Sequence, residues 1–121
     1  MNEFQTKLKR KIDEYVNFVY DMTNKFPKEE RYGSISQWRR ATLSIILNWI
    51  EGYARKKPLV QLNFLDISFG SLKESRYLLH FARRRNYISE EDYHNGLELI
   101  EEIGAMLWTE IKKLEAKIKK Q

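Results

Sequence analysis

Four apolar stripes at helical spacing, interrupted by only two prolines, constrain this chain more than any other feature of it. In the first, over residues 2–25, Phe4, Leu8, Ile12, Tyr15, Val19, Met22 and Phe26 recur at intervals of 4, 4, 3, 4, 3 and 4. That is one face of an α-helix. Pro27 ends it, because proline lacks an amide donor and restricts the residue before it. The stretch PKEE at 27–30 predicts a short helical turn that Gly33 closes. A second helix is expected over 34–56, with Ser34 three residues before Gln37, the spacing of a capping box. Pro58 marks the next boundary. A third helix, 59–84, turns Leu62, Leu65, Phe69, Leu72, Leu79 and Ala82 inward. Ser89 then precedes Glu90, Glu91 and Asp92, an N-cap followed by acids that suit the positive end of a helix. The fourth helix carries Tyr93, Leu97, Ile100, Ile103, Leu107, Ile111, Leu114 and Ile118 at intervals of 4, 3, 3, 4, 4, 3 and 4.

No stretch alternates as a strand would. Four helices with short connections favour an all-α, antiparallel up-down-up-down four-helix bundle, one domain over 1–121. Hydrophobic residues at 42% and charged residues at 32% fit a soluble globular chain with a real core. The absence of cysteine excludes disulfides, thiolate chemistry and cysteine zinc sites, and fits a reducing, cytoplasmic setting. The start, MNEFQTKLKRKIDEY, is too charged for a signal peptide, and no apolar run is long enough to span a membrane.

Helix two is the least ordinary of the four. Gln37, Arg40, Ser44, Asn48, Glu51 and Arg55 form one polar line, spaced 3, 4, 4, 3 and 4. Every other position from 43 to 50 is apolar. A helix in a four-helix monomer needs only one apolar stripe. This one has apolar surface on both sides of its line, so it is expected to be covered twice, by its own bundle and by another chain. Leu43, Leu47, Trp49 and Ile50 are the candidate oligomer interface. The polar ladder Arg40, Ser44, Asn48, Glu51 and Arg55 is either structural or a ligand site. Glu51 and Arg55 form a favourable i,i+4 pair.

FPKEERYG at 26–33, SQWRRA at 36–41, Ser44-Ile45, Asn48 and EGYAR at 51–55 resemble the bacterial four-helix-bundle family of 23S rRNA-intervening-sequence proteins. GSLKE at 70–74 and NYISEEDY at 86–93 extend the match over nearly the whole chain. Relatives of that family include the accessory variability determinants of diversity-generating retroelements. The resemblance implies a four-helix bundle assembled as a homopentamer, a role in binding RNA or DNA, and, by analogy with the retroelement proteins, a reverse transcriptase partner. The chain departs from the family where it has Ile46 in place of a common proline, and Leu47 and Ile50 in place of small residues. A straighter, bulkier second helix is expected.

Net charge is +5. In an antiparallel bundle the start of helix one and the ends of helices two and four share one pole. Lys7, Lys9, Arg10 and Lys11 would meet Arg55, Lys56 and Lys57, and then Lys112, Lys113, Lys117, Lys119 and Lys120. Glu3, Asp13, Glu14, Glu51, Glu110 and Glu115 are the fewer acids nearby. Such a pole attracts phosphates with little sequence reading. Lys7, Arg10, Lys11, Arg55, Lys56 and Lys57 are the first candidates for nucleic-acid contact. Lys73, Arg76, Arg83, Arg84 and Arg85, with His80, form a second patch. Lysines near a helix C-terminus also suit its dipole, so solvation alone accounts for some of this charge. The aromatic residues fall mostly in core register, and spacing offers no base-stacking face.

A dimetal carboxylate bundle needs Glu-x-x-His on two helices. One such spacing occurs, Glu91 with His94, and His80 has Tyr77 three residues before it. No catalytic residue, metal site or cofactor is assigned, and no enzymatic activity is expected. Two function classes remain: a homo-oligomeric nucleic-acid-binding accessory protein, or a scaffold that binds protein alone.

Overall fold

The computed structural model describes residues 1–120. Helix α1 spans Glu3–Thr23, α2 Ser36–Ala54, α3 Pro58–Arg84 and α4 Glu90–Lys119. Side-chain pairings fix their directions. Ser44 and Thr42 of α2 meet Ser71 and Ser75 of α3, so the partner number rises as the first falls. Between α3 and α4 the pairs are Arg76 with Glu101 and Arg83 with Glu90. Between α1 and α4, Lys7 meets Glu102 and Lys25 meets Asp92. Every neighbour is therefore antiparallel, and α1 closes the ring against α4. The up-down-up-down bundle expected from the stripes is the observed fold. No helix of it is long and apolar enough to cross a membrane.

The stripes supply the core. Leu8, Ile12, Tyr15 and Val19 of α1 are fully buried, with Leu79, Ile103 and Leu107. Each such side chain contributes about 1.5–3 kcal/mol through loss of apolar surface to water. Within this core lies a polar knot that spacing did not announce. Trp38 Nε1 donates to Ser75 Oγ at 3.0 Å, and the Tyr15 and Thr42 hydroxyls lie 2.8 and 2.9 Å from the same oxygen. All four residues are buried. Burial pushes the Tyr15 phenol up to about 12, against smaller opposing effects of its bonds to Ser75 and Trp38. Ser68 is buried too, and donates to the Ile45 carbonyl at 2.7 Å. Small hydroxyls thus tie α3 to α2 within the core.

The helix ends depart from expectation at α2, expected over 34–56 but spanning Ser36–Ala54, with Arg55 already extended. The capping box sits not at Ser34 and Gln37 but at Asn2 and Gln5, which cap α1 reciprocally. Ser34 belongs to a wide π-type turn, Arg31–Ile35, and is itself capped. Its amide and hydroxyl both donate to Glu30 Oε2, at 3.3 and 3.0 Å, while the Tyr87 hydroxyl donates to Glu30 Oε1 at 3.0 Å. Gly33 takes a non-helical conformation here, so α2 begins at Ser36. The short turn expected at PKEE is present as Lys28–Glu30. Pro58 is the first residue of α3, one before the expected start, and Ser89 caps α4 through the Asp92 amide. Asn86 takes the left-handed conformation, φ 60°, and the Tyr87 amide reaches back to the Ala82 carbonyl, closing α3.

Glu30→Ala should cost about 0.5–2 kcal/mol, the range of a lost helix cap. The Ser34 amide, first, and then the Tyr87 and Ser34 hydroxyls hold the Glu30 carboxyl below its usual pKa. A carboxylate depressed in the folded state stabilises above its unfolded pKa and loses that contribution as pH falls through the folded value. Denaturation of wild type and variant should therefore diverge at neutral pH and converge in acid. A gap that is constant down to low pH would contradict the assignment.

Candidate nucleic-acid interface

The turn Arg55-Lys56-Lys57 joins α2 to α3 at the pole where α1 begins and α4 ends. Phe4 of α1 lies under Lys113 of α4, whose Nζ is 5.4 Å from the ring centroid. The segments expected to converge there do so. Their charges are not equally available. Lys7 and Lys11 lean across to Glu102, at 3.7 and 3.4 Å. Lys9 pairs with Asp13, Lys112 with Glu115, and Arg55 with Glu51 at 2.9 Å. Among the described residues no acid lies within ion-pairing distance of Arg10, Lys56 or Lys57, and all three are exposed. Lys113 and Lys117 are exposed on the same pole.

The second patch is more fully engaged. Arg76 pairs with Glu101, and Arg83 with Glu90 while lying over the Tyr93 ring. Lys73 lies over Phe69, and Arg85 over Tyr87. Only Arg84 has no such partner among the described residues. His80 is held by the Tyr93 hydroxyl at 2.8 Å, and burial, with Arg76 and Arg83 nearby, lowers its pKa.

Helix α2 presents Leu47 and Ile50 to solvent, 57% and 42% exposed, with Leu43 half-buried beside them. Trp49 does not belong with these three. It is 1% exposed, and its Nε1 donates to Glu110 Oε1 of α4 at 2.7 Å. Its side chain lies on the face that carries Trp38 and Ile45 into the core, eleven and four residues earlier. The helix runs unbroken through Ile46, which is buried. Much of the polar ladder is tied within the fold. Ser44 Oγ lies 2.7 Å from Ser71 Oγ, and Asn48 donates to the Ser44 carbonyl and hydroxyl at 2.9 Å. With Glu51 and Arg55 paired, Arg40 is the exposed member without a partner among the described residues. On α3, Ile67 is also 51% exposed.

Aromatic exposure was the signal that spacing missed. Tyr32, Tyr53, Tyr77 and Trp108 are all substantially exposed. Tyr53 stacks on Trp49, the rings 16° from parallel with centroids 5.8 Å apart. Among the described residues no three histidines or acids come together as a metal site would require.

The family model of the 23S rRNA-intervening sequence protein matches residues 5–109. The chain belongs to that family. Its fold is that of a crystal structure of a protein of unknown function from the S23 ribosomal protein family of Bacteroides thetaiotaomicron VPI-5482. That likeness has a TM-score of 0.80 at 24% identity, over 87% of this chain and 98% of that one. No significant match is found among curated proteins. Of the two basic patches, the pole of α1, α2 and α4 keeps more unpaired cations among the described candidates: Arg10, Lys56 and Lys57 there, against Arg84 in the other.

Proposed function

We propose that this chain is a homo-oligomeric accessory protein, binding RNA or DNA non-specifically through its basic pole and having no catalytic role of its own. The observation that carries the reading is that Arg10 of α1 and Lys56 and Lys57 of the α2–α3 turn are exposed at this end of the bundle, with no acid within ion-pairing distance among the described residues. Cations of this kind neutralise phosphates and release counterions. None of the three lies on a helix face arranged to enter a groove and read bases. Membership of the 23S rRNA-intervening sequence protein family supports the same class of partner. A five-membered ring, from the family resemblance, a reverse transcriptase partner, from the retroelement relatives, and a cytoplasmic setting, from the cysteine-free composition, complete the reading. The experiment is a titration of the protein against unrelated RNA and DNA strands at low salt. Similar affinities that collapse as salt rises support the reading. No binding at low salt overturns it in favour of a protein scaffold.

Self-association is assigned to the outer face of α2, where Leu47 and Ile50 stand exposed beside Leu43. Leu47→Glu places a charge in the centre of that contact, and burying an unpaired charge is costly. Light scattering should show the variant as smaller species than wild type. A wild-type protein that stays monomeric at high concentration would remove the assignment.

A further inference from the structure

A cavity of about 320 Å³ opens among α1, α2, α3 and α4 at the basic pole. Its volume falls within the range of small-ligand sites. Trp49 and Tyr53 form one wall, two near-parallel rings one helical turn apart. Gly52 lies between them, and a Cβ there would stand 3.2 Å from both the Gln61 carbonyl and Phe64 Cβ of α3. The aromatic wall is thus set by a close approach of two helices.

The cavity also holds a fixed acceptor. Glu110 Oε1 takes the Trp49 indole N–H at 2.7 Å, which orients the carboxylate. Among the described residues no cation lies within ion-pairing distance of it. An ionised carboxylate only accepts hydrogen bonds, so its remaining lone pairs call for N–H donors. One and two turns further along α4, Lys113 and Lys117 line the same cavity. An aromatic wall, an acceptor beside it and two cations lining the cavity suit one ligand chemistry well. That chemistry is a flat heterocycle bearing an amino group and carrying a phosphate.

We propose that this cavity takes one unpaired, amino-bearing nucleobase of a strand lying across the basic pole. The base packs on Tyr53, its exocyclic amine donates to Glu110, and its phosphate meets Lys113 and Lys117. Cytosine, adenine and guanine carry such an amine, and uracil and thymine do not. Unpaired bases are recognised in this way, by stacking and by hydrogen bonds to their edges. This inference rests on the nucleic-acid reading above and adds to it a discrimination that backbone contacts cannot supply.

The test is calorimetric titration of the whole protein with cytidine monophosphate, uridine monophosphate and a duplex DNA. Wild type should bind the cytidine nucleotide about tenfold more tightly than the uridine one, the scale of one hydrogen bond to a charged group. Glu110→Gln keeps a carbonyl for the Trp49 indole and turns an amide N–H₂ towards the ligand. It also removes a negative charge, which strengthens both nucleotides alike, so the ratio of the two affinities is the readout. That ratio should fall to about one or invert in favour of uridine. Tyr53→Ala should weaken both nucleotides by on the order of tenfold, through lost stacking. Duplex binding without discrimination between the nucleotides by wild type overturns the pocket and leaves the basic pole standing. An unchanged ratio in Glu110→Gln also overturns the pocket. Failure to bind any of the three ligands overturns both.

Discussion

Trp38→Ala should lower the unfolding free energy by about 3–5 kcal/mol, the usual cost of deleting a large buried ring. Natural domains are stable by only about 5–15 kcal/mol, so this variant sits close to unfolding. Trp38 is fully buried, packs edge-on against Phe18 and tilts against Phe26, and so joins α1 to α2. Its indole also donates into the knot around Ser75, which joins α2 to α3. Alanine leaves a cavity and removes that donor together. Trp38→Phe separates the two effects. It keeps most of the ring and should cost about 1–3 kcal/mol for the hydrogen bond. The low end is favoured because Tyr15 and Thr42 still reach the Ser75 hydroxyl. Urea denaturation of the three proteins measures both steps. A loss below about 1 kcal/mol for Trp38→Ala would mean that the core does not depend on this ring.

The fold was legible because a 3.6-residue period needs no knowledge of partners. Leu8, Ile12, Tyr15 and Val19 are apolar at that period, and they are buried. Polar core residues were not legible. Ser68, Ser75 and Thr42 lie outside the apolar stripes, yet they are buried, with their hydroxyls bonded across the α2–α3 seam. Trp49 was legible in principle. It follows Trp38 by eleven residues, close to three turns, and so shares its buried face. The breadth of apolar surface on α2 masked that signal. Ser34 and Gln37 have capping-box spacing, but the bulged backbone at Gly33 starts α2 beyond Ser34. The convergence of the basic segments followed from topology alone. Which cations remain unpaired did not, because the reach of Lys7 and Lys11 to Glu102 depends on the register of α1 against α4. The cavity wall depends on a bond between residues 61 apart, Trp49 and Glu110, which no local pattern encodes.

Replacing Arg10, Lys56 and Lys57 together with glutamine should weaken binding to unrelated strands about equally and flatten its dependence on salt. Each phosphate neutralised adds about 0.7–0.9 to the slope of log affinity against log salt, so three lost contacts remove roughly 2–3. The change is surface-exposed and breaks no ion pair among the described residues, so stability should move by less than about 0.5 kcal/mol per site. The matching replacement of Arg83, Arg84 and Arg85 removes as much charge from the opposite end of α3. There Arg83 is held by Glu90 and Arg85 lies over Tyr87, so fewer phosphates are within its gift. The decisive measurement is this salt slope, taken by fluorescence anisotropy on one labelled RNA for wild type and both triple variants. The account predicts a slope reduced by roughly 2–3 for the first variant and by less for the second. A second variant that loses binding while the first keeps the wild-type slope would contradict it.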